Sequence, residues 1–259
     1  LARKIPQAHG KLKAGKWESP VMSIVSLMQV FLLTFILGIY ITDTLHIGSS
    51  PFLLLRDKLT GDPVFLFDDY MRFIPDGRGL NALLQNYWMV IHPPVLFLGF
   101  ASITIPFAYA IAGLWNKDYT GWIKPAIPYA LFASMVLGTG ILMGGAWAYE
   151  ALSFGGFWAW DPVENASLIP WLIIVAGLHN LVISKATGHA LRSSFVMIIL
   201  AFFFVVYASF LTRSGILGDT SVHAFVEEGL TNHLLIFLFT FVLISKYFLI
   251  INWKKIPRK

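Results

Sequence analysis

The sequence predicts an all-α polytopic membrane protein with about six transmembrane helices and three extracytoplasmic loops. Of its 259 residues, 57% are hydrophobic and only 13% are charged. A soluble domain carries about 25% charged residues, so this composition is typical of a chain that lies in a bilayer. Apolar stretches of about 20 residues, long enough to cross the hydrocarbon core, recur along the chain.

Six spans are predicted in order, at residues 22–42, 93–115, 127–148, 166–184, 193–211 and 233–252. No internal repeat separates them, which favours one transmembrane domain over 22–252. A segment at 1–21 precedes this domain and a short tail at 253–259 follows it.

The basic residues predict how the spans are oriented. Lysines and arginines concentrate in 1–21, 116–126, 185–192 and 253–259, which fall on one side if six spans alternate. Because cytoplasmic loops carry an excess of Lys and Arg, both termini are expected in the cytoplasm. The net charge of +5 follows from this topology, so no nucleic-acid partner is needed to explain it.

Three segments then face outward, at 43–92, 149–165 and 212–232. Within the first, an outer insert at 48–91 is rich in acids and turn signals. Its end, LNALLQNYWMVI, has apolar side chains at helical spacing and predicts an amphipathic helix on the outer membrane surface.

The second outward segment leads into FGGFWAWDPVENASLIPWL, residues 154–172. One interpretation is structural: Asp161 and Glu164 form a capping box, and the rings form an interfacial belt. The other is a binding surface, because Gly155 and Gly156 permit close backbone approach to a flat ligand among crowded rings. The platform residues are then Gly155, Gly156, Phe157, Trp158, Trp160, Asp161 and Glu164.

Two histidines are predicted on the same outer face as these rings. His92 precedes Pro93-Pro94 at the mouth of the second span, and His223 lies in the loop after the fifth span. Two imidazoles beside an aromatic surface suit axial ligation of a haem iron. Arg213 is the one Lys or Arg in its loop and is a candidate partner for a haem propionate.

His179 stands apart because it lies within the fourth span. An ionisable group inside a span is a functional hypothesis, against which stands a neutral histidine bonded to a neighbouring helix. The remaining histidines are expected to be bystanders: His9, His46, His189 and His233. The chain has no cysteine, which excludes disulfides and a cysteine nucleophile, and it has no motif of hydrolytic catalysis.

With these motifs the chain resembles the WWD-domain family of haem-handling membrane proteins that mature c-type cytochromes, and within it the CcmF/NrfE branch. GGFWAWDPVENASLIPWL is similar to the tryptophan-rich signature, while NYWMVIHPP and LTRSGIL…SVHAF match the two outward histidine motifs. The similarity runs from about residue 80 to 225.

The resemblance implies that His92 and His223 are axial ligands of haem at the outer face, over a platform that includes Trp158, Trp160 and Asp161. It implies that His179 helps to hold a separate noncovalent b-type haem (iron-protoporphyrin IX). It further implies the bacterial inner membrane, a periplasmic haem chaperone and other maturation subunits as partners, and apocytochrome c as substrate. The cysteine thiols of its CxxCH motif add to the haem vinyl groups, a reaction catalysed mostly by positioning.

The sequence departs from the family pattern in three places. Phe154 and Phe157 stand where tryptophan is usual, and the acid-rich segment 48–78 is an elaboration. Family members are also longer and carry a second transmembrane histidine, so a split gene or a partial chain is expected. A haem transporter and a structural subunit remain as alternatives to the lyase.

Overall fold

A computed structural model describes residues 15–41, 46–59, 61–73, 79–217 and 230–258. Its α-helices and strands are α1 (Glu18–Thr34), β1 (Ile39–Tyr40), β2 (His46–Ile47), α2 (Leu55–Lys58), α3 (Tyr87–Ser102), α4 (Thr104–Trp115), α5 (Ile123–Ala151), α6 (Pro162–Thr187), α7 (Leu191–Arg213) and α8 (Thr231–Asn252). Three short 3-10 helices occupy Pro63–Leu66, Tyr70–Arg72 and Ala82–Leu84. Apart from the two-residue strands, the described part is helical, which confirms the predicted fold class.

Within the described residues, five helical segments are long and apolar enough to cross a membrane: Tyr87–Trp115, Ile123–Ala151, Pro162–Thr187, Leu191–Arg213 and Thr231–Asn252. They contain the last five predicted spans. Most of them extend those spans by several residues, because helix caps and interfacial residues add turns beyond the apolar stretch.

The first predicted span differs most from the structure. It was expected at 22–42, but α1 has 17 residues and ends at Thr34. The chain turns back there into the antiparallel pair β1–β2, and the Ser49 amide donates to the Phe35 carbonyl at 2.8 Å. Gly48 permits the turn, since its φ is +68° and a Cβ would lie 2.1 Å from the Thr34 oxygen. Hydropathy alone does not register such a turn.

Prolines shape the segment formed by α3 and α4. Pro106 has no N–H to offer the Ser102 carbonyl and its ring crowds that carbonyl, so the helix is interrupted at Ile103. Pro93 and Pro94 lie inside α3 and likewise deprive the carbonyls of residues 89 and 90 of their helical donors. The start of α3 therefore depends on contacts from other elements.

Glycine allows α3 and α5 to approach closely. A Cβ added to Gly99 would lie 2.6 Å from Leu137 Cα, and one added to Gly140 would lie 2.7 Å from Leu96 Cα. Such contacts between small residues and a facing backbone are the usual basis of helix association in membranes. The main partners are α3 with α5 and α6 with α7, while α5 also packs against α6.

A cluster of rings fills the centre of the bundle. Phe107 of α4 stacks on Phe202 of α7 with centroids 4.1 Å apart, and Phe241 of α8 meets Phe202 edge-on at 5.6 Å. These three side chains are almost fully buried. They join the helices around one core.

The bundle has two chemically different ends. The basic end holds the starts of α1, α5 and α7, the ends of α4, α6 and α8, and the residues Lys16, Lys117, Lys124, Lys185, Arg192, Lys254 and Lys255. The aromatic end holds the starts of α3, α6 and α8, the ends of α1, α5 and α7, and the loop 152–161. Lys16 of the basic end pairs with Asp118 at 2.5 Å, and Thr34 of the aromatic end bonds His233 at 2.7 Å, as this alternation requires.

The described part of the outer insert is made of short pieces. Instead of a continuous amphipathic helix over 80–91, the 3-10 helix Ala82–Leu84 is followed by a break and by α3. Asn86 causes the break, because its backbone is extended and its side chain accepts the Trp88 amide proton at 2.8 Å as an N-cap. Trp147 of α5 donates to the Leu83 carbonyl at 3.0 Å and attaches this segment to the bundle.

Candidate functional site

A pocket opens at the aromatic end between α3, α5, α6 and α7. Its empty space, including the open mouth, amounts to about 800 Å³. Its apolar lining includes Leu96, Phe97, Phe100, Ile141 and Phe157; its polar lining is His92, Trp158, Glu164, Ser167, Ser209, Thr212 and Arg213. The fold thus brings five of the candidate residues to one pocket: His92, Phe157, Trp158, Glu164 and Arg213.

His92 is seated against α5 by two glycines. Its Nδ1 lies 2.7 Å from the Gly140 carbonyl oxygen on that helix. One turn further on, a Cβ at Gly144 would lie 2.6 Å from His92 Cε1. The imidazole therefore occupies the space that any side chain at position 144 would take.

This contact fixes the tautomer of the imidazole. A carbonyl oxygen can only accept, so the proton is on Nδ1 and the lone pair is on Nε2. Histidines that bind metals are commonly oriented by such a hydrogen bond from the other ring nitrogen to a carbonyl or carboxylate. In the neutral form of His92, this hydrogen bond makes Nε2 the nitrogen that carries the lone pair.

Glu150 of α5 holds the start of α3 in place. His92 lies on the same helix, five residues after its first residue, Tyr87. Glu150 Oε1 accepts from Trp88 Nε1 at 3.0 Å and its Oε2 accepts from Asn86 Nδ2 at 2.9 Å. Two neutral donors, the Trp88 indole and the Asn86 amide, thus bind the Glu150 carboxylate. These hydrogen bonds hold a helix start that has lost helical hydrogen bonds at Pro93 and Pro94.

The capping box predicted for DPVE is confirmed. Asp161 accepts from the amides of Val163 and Glu164, and Glu164 Oε2 accepts from the Asp161 amide at 3.2 Å, which is a capping box. Glu164 Oε2 also accepts from the Ala159 amide at 3.0 Å, and Asn165 donates to the Trp160 carbonyl at 3.0 Å. The polar groups at the start of α6 therefore hold the aromatic loop in place.

The rings of this loop do not form one flat surface. Phe157 stacks on Tyr149 of α5 with centroids 4.4 Å apart, whereas Trp158 and Trp160 meet edge to face at 6.3 Å. Gly155 is needed for a backbone φ of +68°, and the space around it is open. Of these rings, Phe157 and Trp158 line the pocket.

The two tryptophans differ in what surrounds them. Trp158 lines the pocket, and its Nε1 is buried without a hydrogen-bond partner in the part of the chain that the structure describes. Trp160 is 71% exposed and has a φ of +59°, a left-handed conformation that strains a residue with a Cβ. A buried donor that lacks an acceptor and a strained backbone are both features of ligand sites.

The other predicted residues lie elsewhere. His179 is on the exposed face of α6, away from the bundle core, and its Nδ1 donates to the Val175 carbonyl at 2.8 Å. His223 lies outside the described residues. His233 forms a hydrogen bond with Thr34 and stacks on Phe35 at 4.2 Å, and His189 lies at the opposite end.

Sequence reasoning missed two residues that build the site: Gly140 and Gly144. The glycines have GxxxG spacing within an apolar helix, a recognised signal of close helix approach. That signal indicates a packing face but does not identify a histidine as the group packed there.

Several known proteins are similar to this chain. Residues 9–217 match the profile of the family described as Cytochrome C assembly protein. The cytochrome c-type biogenesis protein CcmF of Pseudomonas aeruginosa is 40% identical over 177 residues, which are 65% of this chain and 27% of that protein. The biogenesis protein NrfE of Haemophilus influenzae is 36% identical over 189 residues, 71% of this chain and 29% of that protein.

A solved structure gives the same result. The chain superposes on a structure titled Cytochrome c Heme Lyase CcmF with a TM-score of 0.66 and 27% identity, covering 90% of this chain and 31% of that one. The chain therefore spans about a quarter to a third of the length of the relatives it matches. With a family match over most of its length and a bundle that superposes on a solved relative, the chain belongs to the cytochrome c assembly protein family.

Proposed function

We propose that this chain carries the haem-presenting site of a lyase that matures c-type cytochromes. The observation that carries the proposal is His92, seated on Gly144 with its Nδ1 bound to the Gly140 carbonyl. That arrangement fixes the imidazole on the wall of a pocket with aromatic and aliphatic sides, and in the neutral ring it places the lone pair on Nε2. A neutral imidazole within such walls is the usual environment of an iron porphyrin.

The chemistry of the remaining pocket residues fits the same substrate. Apolar rings cover porphyrin faces, while the Arg213 guanidinium is suited to a propionate carboxylate. Trp158 Nε1 is a buried donor that a second carboxylate oxygen would satisfy. We propose His223 as the second axial ligand; it lies outside the described residues.

The protein's contribution to thioether formation is then positional. Haem held by its iron and its propionates presents its vinyl edge to the two thiols of an apocytochrome CxxCH motif, and the thiols add across the vinyl groups. The platform residues exclude water and fix orientation, which is where most of the rate gain of such a reaction arises. Apocytochrome c, a periplasmic haem chaperone and other maturation subunits are the proposed partners.

We propose that His179 serves a second haem, noncovalent and of b type. Its exposed place on α6 suits a ligand whose partner comes from polypeptide packed on that face. The proposed setting is the bacterial inner membrane, with the basic end in the cytoplasm and the aromatic end in the periplasm. The domain division of 1–21, 22–252 and 253–259 follows from it.

The visible absorption spectrum of the purified protein, oxidised and reduced, tests the site. His92→Ala together with His223→Ala is expected to abolish the haem signal of the pocket, while His189→Ala at the opposite end leaves it unchanged. His179→Ala should remove only the b-type contribution. Haem content that is equal in all four proteins would contradict the assignment.

Covalent product separates a lyase from a transporter or a structural subunit. In a host without its own lyase, a CxxCH apocytochrome co-expressed with this protein and the maturation partners should acquire haem that survives denaturing electrophoresis. The double histidine variant should yield none. Haem that reaches the periplasm and stays noncovalent would favour the transporter, and no haem at all would favour the structural subunit.

A further inference from the structure

A second cavity lies at the opposite end of the molecule from the haem pocket. It is an open groove along the last turns of α8, closed on one side by Phe203 of α7, and its empty space, including the open mouth, is about 1140 Å³. Its walls are apolar, with Val242, Leu249 and Ile250 among them. Three lysines stand at this groove: Lys246, Lys254 and Lys255.

We propose that this groove binds an anionic phospholipid, with an acyl chain along the apolar wall and the phosphate among the three lysines. The groove combines a hydrocarbon-compatible wall with cations at the basic end, and this is the chemistry of an anionic lipid. Lys246 is exposed one turn and a half before the end of α8, where its long side chain reaches toward the interface. Lys254 and Lys255 follow directly after the helix.

The surroundings of Ser245 also favour a bound lipid. Ser245 lines the groove, is 1% exposed, and its hydroxyl has no hydrogen-bond partner within the described residues. It lies seven residues before the end of α8, about 10 Å along the axis, beside Lys246.

The neighbouring cations and acids are placed consistently with this occupant. Arg192 is engaged elsewhere: it donates to the carbonyls of Trp253 and Ile256 and lies over the Trp253 ring at 4.9 Å. Trp253 itself lines the groove, so Trp253, with Arg192 over its ring, forms one wall at its end. Asp118, the acid described in the loop at this end, is paired with Lys16.

Native mass spectrometry of the purified protein, titrated with phosphatidylglycerol or phosphatidylcholine, tests the proposal. Phosphatidylglycerol should bind more tightly, and Lys246→Gln/Lys254→Gln/Lys255→Gln should weaken that binding about tenfold, since each lysine near an anionic surface contributes substantially. A matched variant, Lys117→Gln/Lys124→Gln/Lys185→Gln, removes three exposed lysines of the same end outside the groove and should leave the affinity within about twofold.

Equal weakening in both triple variants would show diffuse attraction to the basic end and would overturn the site. No preference for phosphatidylglycerol would overturn it too, and would leave the groove to be covered by polypeptide. The proposal is independent of the haem chemistry, because neither triple variant touches the aromatic end. Haem spectra measured in parallel should be unchanged in both.

Discussion

The two ends of this bundle use their polar groups in opposite ways. At the basic end, Asn252 is 1% exposed, accepts from the Tyr119 hydroxyl at 2.8 Å and donates to the carbonyls of Leu114 and Phe248. At the aromatic end, the buried Trp158 Nε1 has no partner among the described residues and Trp160 has a strained backbone. At Asn252 the basic end uses a buried polar group to hold helices together, whereas at Trp158 the aromatic end has a buried donor, on the wall of a pocket, that finds no acceptor among the described residues.

The largest expected loss of stability comes from Asn252→Ala. The change leaves the half-buried Tyr119 hydroxyl without its acceptor and removes two hydrogen bonds that the buried amide donates to carbonyls, at a cost of about 3 kcal/mol in the free energy of unfolding. Thermal unfolding in detergent should shift down by roughly 5–10 °C, since about 1 kcal/mol moves the midpoint of a chain this size by 2–4 °C. Asn116→Ala, an exposed neighbour at the same end, is the control and should shift little. A low midpoint together with an unchanged haem spectrum would support the contrast between the ends; loss of haem in step with stability would contradict it.

Gly144→Ala should instead weaken haem binding. A methyl group 2.6 Å from His92 Cε1 must displace the imidazole or separate α3 from α5. Because changes to groups that orient a metal ligand commonly cost 10–100-fold in affinity, haem binding should fall by at least about tenfold. Gly145→Ala meets its nearest neighbour, the Phe157 carbonyl oxygen, at 3.0 Å and should have a smaller effect. Haem titrations followed by absorbance would rank the two, and equal affinities would dismiss the packing of His92 on Gly144.

Glu150→Ala tests whether the start of α3 is held from α5. Losing two hydrogen bonds to Asn86 and Trp88 at an exposed position should cost about 1 kcal/mol locally. Amide hydrogen exchange over residues 86–92 should accelerate, because Pro93 and Pro94 leave this turn with few helical bonds of its own. Glu150→Gln keeps one acceptor oxygen and should lie between Ala and the unchanged protein. Unaltered exchange in Glu150→Ala would show that other contacts hold the turn.

The smallest effect concerns pH at the basic end. The hydrogen bond from Lys16 is the main cause that lowers the pKa of Asp118 below its ordinary 3.8, with the Gly121 amide assisting. A carboxyl whose pKa is lower in the folded state stabilises that state above its unfolded pKa, and this stabilisation is lost as the pH falls through the folded pKa. Lys16 is 64% exposed, so the pair contributes less than about 1 kcal/mol. The unfolding midpoints at pH 7 and below pH 3 should differ less in Asp118→Asn than in the unchanged protein. Identical differences would show that the Lys16–Asp118 pair does not contribute to the pH dependence.

Local signals in the sequence predicted local structure well. The apolar stretches located the last five spans within a few residues, and DPVE predicted the capping box around Asp161 and Glu164. Both signals depend on neighbours along the chain. The turn after Thr34 and the break at Ile103 were not predicted, since hydropathy averages over the glycines and prolines that cause them.

The site could be predicted only in part. The order of the motifs brought His92, Trp158 and Arg213 to one end, as the pocket lining has them. The contact between His92 and Gly140 joins residues 48 positions apart on two helices, and no local pattern specifies it. The same holds for Glu150, whose partners lie more than 60 positions earlier in the chain.

The backbone of Trp160 has a consequence for anyone who engineers this protein. A left-handed conformation costs a residue with a Cβ about 1–2 kcal/mol, whereas glycine or asparagine adopts it with little strain. A screen for heat-resistant variants would therefore favour Trp160→Asn or Trp160→Gly. Such a screen would remove a ring that meets Trp158 edge to face while it improved the fold, so a gain in thermostability at this position would come with a change to the aromatic loop.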